Sequence, residues 1–161
     1  MKINGKASAV AVAIILIATF VMGYGSGRDN GSGTNSRIYR RTEAKVFKGD
    51  WGEMDIYTKE NKTTYGTDRM FTAFTDVLPG RSVHPSHRHG EEEFLLISRG
   101  EGIWVLEGDT IPARSGDLLY ANPWDFHGLV NTGADTLTFF VIKWKNERID
   151  MPKEPVGDHG N

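Results

Sequence analysis

His87-Arg88-His89-Gly90-Glu91-Glu92-Glu93, with His127 thirty-four residues beyond Glu93, is the stretch from which the rest of this chain can be read. Imidazole and carboxylate are the groups a protein offers to a divalent transition metal. Positions 87, 89 and 93 differ by even steps. Alternate side chains of an extended strand share a face, so the spacing predicts that all three point to one side. His127 then has to come from a second strand. Three histidines and one glutamate leave one or two positions open on an octahedral ion, as a reacting site requires and a structural site avoids.

The surrounding residues alternate short apolar runs with turns. Residues 69–78 read as a strand ended by Pro79-Gly80. Strands follow at residues 93–98, 103–106, 118–121, 127–131 and 137–144. The turns between them hold Arg99-Gly100-Glu101-Gly102, Glu107-Gly108-Asp109, residues 113–117, a loop at 122–126, and Thr132-Gly133-Ala134-Asp135. Residues 48–57 are expected along an edge of the same assembly. Strands at this spacing with glycine turns predict an all-β sandwich or barrel.

Two motifs carry a family resemblance. Gly80 is followed by His87-x-His89, then Glu93, then Gly100; Gly116 is followed by Asn122-Pro123-Trp124, His127 and Asn131. This pair resembles the two motifs of the cupin superfamily over about residues 74–144. Gly80 and His87 are separated by six residues where the family has five, and Asn122 and Trp124 stand where it usually has Pro and Gly. These departures affect the turn before His127 and leave the ligands alone. The resemblance implies a jelly-roll β-barrel in which His87, His89, Glu93 and His127 hold one divalent transition metal: Fe, Mn, Ni, Zn or Cu. It also implies a small-molecule substrate in the barrel and a dioxygenase- or isomerase-like activity. Glu93 serves there as ligand or, as in some members, as a base that leaves the metal. Cupins are often dimers through edge strands, so a homodimer is a further expectation. A non-catalytic cupin that binds a sugar or metabolite is the alternative, and a purely structural metal site is a third reading.

Other residues are weighed against plainer roles. Glu91 shares a face with Glu93 and is a candidate substitute ligand or supporting base, whereas Glu92 is expected on the opposite face. His84 is out of phase with His87, but Pro85 can re-aim it toward the mouth of the site. Trp124 and Asp125 lie in the loop before His127 and are candidates for the pocket mouth. Trp104 and Tyr120 are candidates for the barrel interior, though parity alone does not fix which way they point. Arg69, Arg88 and Arg99 are available to an anion but are commonly just solvated. Asn131 reads as structural, satisfying backbone groups at a strand end.

The chain has 161 residues, with 19 basic and 21 acidic side chains. This balance gives no sign of a nucleic-acid partner or of binding to an anionic membrane surface. It has no cysteine, which removes disulfides, thiolate ligands and a lipoprotein anchor together. Lys2 and Lys6 precede an uncharged apolar run at residues 7–22. As a helix that run spans about 24 Å, short of the roughly 30 Å hydrocarbon core. With Gly23 and Gly25 behind it, it reads as a signal peptide, or else as an uncleaved membrane anchor, and places the domain outside the cytoplasm. The expected organisation is a signal or anchor at 1–25, a Gly/Ser linker at 26–36, the cupin domain at 37–145 and a polar tail at 146–161.

Overall fold

Strand-forming residues interrupted by glycine turns produce nine strands in the computed structural model, which describes residues 38–59, 64 and 66–155. The expected signal, linker and extreme tail (residues 156–161) lie outside the described residues. A short 3-10 turn, Arg41–Glu43, leads into β1 (Lys45–Gly49) and β2 (Gly52–Thr58). Then come β3 (Thr67–Val77), β4 (Glu92–Arg99), β5 (Glu101–Leu106), β6 (Asp109–Arg114), β7 (Leu118–Ala121), β8 (His127–Asn131) and β9 (Leu137–Asn146). Among the described residues no helix is long and apolar enough to cross a membrane.

All strand pairs are antiparallel and form two sheets, β1-β2-β3-β9-β4-β7 and β6-β5-β8. The all-β expectation holds, and the double sheet is the arrangement of a jelly roll. Strand β9 lies between β3 and β4, and its alternation shows why. Leu137, Phe139 and Val141 are buried on one face, against Ala73 and Val77 of β3 and Leu95 and Ile97 of β4. The second sheet closes on this layer through Trp104 and Ala113. Ile97 and Leu137 are almost fully buried, and each such side chain contributes about 1.5–3 kcal/mol.

The turn Glu107-Gly108 joins β5 to β6 with φ of 50° and 91°. Two successive positive φ values match the twist of the flanking strands, which explains a glycine at 108. Strand β6 was not expected from the sequence. It holds Pro112 and sits at a sheet edge, where a missing N–H leaves no ladder bond unmade. Strand β9 continues to Asn146, and the following segment returns so that Pro152 O accepts a hydrogen bond from Trp124 Nε1 at 2.6 Å.

Candidate metal centre

His87 and His89 do not share a strand with Glu93. They lie in the irregular segment before β4, so strand phase is not what brings the three together. An isolated bridge does it instead. His87 and His127 exchange both backbone hydrogen bonds, N to O at 2.9 and 3.0 Å. Trp124 N donates to His89 O at 2.8 Å, which fixes the second histidine to the loop at 122–126. Glu93 enters from β4, directly opposite Ala121 and Lys143. Gly128, beside His127, packs against Ser86, and any side chain there would collide with it.

The result is a cluster of convergent donors. Donor atoms of His87, His89 and His127 lie within 4.8 Å of one another. Glu93 Oε2 is 3.3 Å from His89 Nε2, and its Oε1 is 3.7 Å from His127 Nε2. His89 Nδ1 donates to Glu91 O at 3.0 Å, and His127 Nδ1 donates to Asp125 O at 2.8 Å. A carbonyl accepts only, so each Nδ1 carries the proton and each Nε2 presents a lone pair. Those Nε2 atoms, and His87 Nδ1, are buried without a hydrogen-bond partner. Buried polar atoms without partners are costly, so three in one place point to a missing electrophile. The residues present therefore fit a bound cation.

The electrostatics suit the same purpose. Burial pushes the His87 imidazole down to about 4, and its neighbours His84, His89 and His127 act in the same direction. Burial also lowers His127, against the Asp125 carbonyl, which raises it. Both rings are thus neutral at neutral pH, the form that ligates. Burial alone would raise the Glu93 carboxyl, but the contact with His89, with the positive charge of Lys143 and that of His127 whenever its ring is protonated, outweighs it and holds Glu93 below its ordinary value.

The centre opens into a cavity of about 210 Å³ between the two sheets. Trp104 lines it and stands 5.4 Å from His127, ring centre to ring centre. His84 lines it too, edge-on to His87 at 4.1 Å. Other sequence candidates fall elsewhere. Tyr120 faces outward, is 38 % exposed and donates to Glu92 Oε2 at 2.8 Å, because its position on β7 is out of phase with the interior. Trp124 and Asp125 do not line the cavity. Trp124 packs over Gly90, and the Asp125 carboxylate accepts from Asn122 N and Nδ2. Trp124 has φ of 73°, the left-handed conformation natural to the glycine that usually occupies its motif position. Glu91 stays beside the site in a supporting position: its Oε2 is 3.5 Å from His89 Nδ1, and its Oε1 is 3.3 Å from Arg69 Nη1, which occupies that arginine as well. Arg88 lies over the Phe126 ring, and Arg99 is exposed.

The sequence reading missed Lys143, Phe71 and Met54, all on the cavity wall. One signal was available: residues 137, 139, 141 and 143 alternate along β9, so Lys143 continues its buried apolar face.

Comparison with known proteins agrees with the geometry. Residues 73–143 match the family model described as Cupin domain. They are a cupin domain. A gentisate 1,2-dioxygenase from a Streptomyces species is 42% identical over 64 residues, which cover 39% of this chain and 18% of that protein. An oxalate-binding protein from Thermotoga maritima is 27% identical over 96 residues, 60% of this chain and 79% of its own length. The chain thus spans under a fifth of the dioxygenase but most of the binding protein. Among solved structures, a predicted oxalate decarboxylase from T. maritima superposes with a TM-score of 0.59 at 24% identity, over 67% of this chain and 98% of that one. A cupin barrel protein from Salinispora arenicola gives 0.52 at 19% identity, over 71% and 91%. These two likenesses establish the fold of the cupin domain.

Proposed function

We propose that this cupin domain binds one divalent transition metal through His87, His89, Glu93 and His127 and acts as a metal-dependent enzyme on a small organic molecule held in the cavity. One observation carries the reading: the partnerless Nε2 atoms of His89 and His127 converge with Glu93 at the end of a largely apolar cavity. When bound, the metal supplies Lewis acidity and, if redox-active, the means to use O₂. The chain supplies the rest. The carbonyls of Glu91 and Asp125 orient two imidazoles, Glu93 brings an ionised carboxylate, and Trp104, Leu95 and Phe139 restrict water around the reacting molecule.

The relative named gentisate 1,2-dioxygenase supports a dioxygenase-like reaction. The one named oxalate-binding protein, matched over most of its length, supports the second reading, a cupin that holds its ligand without turning it over. The apolar run at residues 7–22 supports export of the domain from the cytoplasm.

Elemental analysis of the protein purified without chelators or an affinity metal, beside His127→Ala, tests the proposal. About one metal ion per chain, lost in the variant while the β-sheet circular dichroism persists, is the expected result. Full metal in both His127→Ala and His87→Ala would refute the ligand set. Oxygen uptake with candidate substrates then separates the enzyme from the binding module.

A further inference from the structure

The cavity walls carry two formally charged side chains, Glu93 and Lys143. They sit directly opposite each other on β4 and β9, and paired residues on neighbouring strands share a face. Lys143 also pairs with Phe71 of β3, and its Nζ lies over that ring at 5.8 Å from the centroid. Glu93 pairs with His89 and His127, and among the described residues Lys143 enters no ion pair.

The charge balance follows from elementary electrostatics. A divalent ion on the histidines and Glu93 leaves one net positive charge at the centre. Lys143 adds a second inside the same apolar cavity. A positive centre beside an apolar wall with no counter-charge favours an anionic occupant, and the half-buried Lys143 at the cavity wall adds to that preference. Most of the remaining wall is apolar, with Phe71, Trp104, Phe139, Leu95 and Leu129 among its residues. An apolar cavity of roughly 150 Å³ holds a benzene ring, and this one measures about 210 Å³.

We propose that Lys143 selects a small carboxylic acid, of single-ring size or below, by pairing with its carboxylate while another oxygen of the same molecule faces the metal centre. This rests on the metal reading above and names the substrate class of that site. The lysine is a binding residue, and the aromatic wall sets the size limit.

Calorimetric titration of the metal-loaded protein with salicylate and with salicylamide tests this. The two probes share ring and hydroxyl and differ in the charge of one group. The wild type is expected to prefer salicylate. Lys143→Met should weaken salicylate by roughly tenfold or more and leave salicylamide unchanged, with Lys143→Arg retaining most of the preference. Metal content is measured in every sample. Equal salicylate affinity in wild type and Lys143→Met, both holding metal, would overturn the proposal. So would metal-loaded wild type that binds neither probe or does not discriminate between them. Wild type that takes up no metal overturns the metal reading, and this assignment with it.

Discussion

Asn131 is completely buried, and its side-chain amide makes three hydrogen bonds to backbone. Nδ2 donates to Val77 O and to Asp135 O, both at 2.8 Å, and Oδ1 accepts from Gly133 N at 2.9 Å. One side chain thus ties the ends of β3 and β8 to the turn before β9. Asn131→Ala removes all three bonds. At about 1 kcal/mol per bond the loss is about 3 kcal/mol, and more if the abandoned groups stay dry. For a domain of this size that corresponds to a fall in Tm on the order of 10 °C. Asn131→Asp should cost at least as much, because a carboxylate cannot donate to either carbonyl and would be buried without a counter-charge. Urea denaturation of the chelator-treated proteins measures this without metal linkage, which would otherwise add to the apparent stability. Metal stoichiometry of the folded variant should stay at the wild-type value, since Asn131 touches no proposed ligand. A loss below 1 kcal/mol for Asn131→Ala would refute the argument that these bonds are a buried, irreplaceable set.

Two further outcomes follow from the same centre. The folded metal-free protein holds His87 near 4, below its ordinary 6.5, so the unfolded chain binds more protons between those values. This contribution to stability is full above about 6.5 and is lost as pH falls toward 4, so urea midpoints of chelated protein should decline across that window. Midpoints in His87→Phe that decline as steeply as in wild type would contradict the assignment. Gly128→Ala should weaken metal affinity without altering a ligand, because the new methyl group strikes Ser86 and displaces the adjoining His87–His127 bridge. Competition with a chromogenic chelator measures it, and unchanged affinity would show that the bridge does not position His87.

The local pattern of the sequence determined much of this protein. Strands β7 and β8 begin and end where glycine, proline and apolar alternation place them, and the histidines and glutamate that converge were readable from residue type and motif spacing. Such signals survive in sequence because turn chemistry and strand period act over a few residues. What tertiary structure decided is how separate segments face one another. His87 and His89 meet Glu93 through a bridge to His127 rather than along one strand. Tyr120 turns out to solvent, Trp104 turns in, and Trp124 holds the His89 loop from outside the cavity. Lys143 reaches the site because β9 pairs with β4 in a register that sets it opposite Glu93. Register between strands forty or more residues apart depends on which faces bury together, and no single strand encodes it alone.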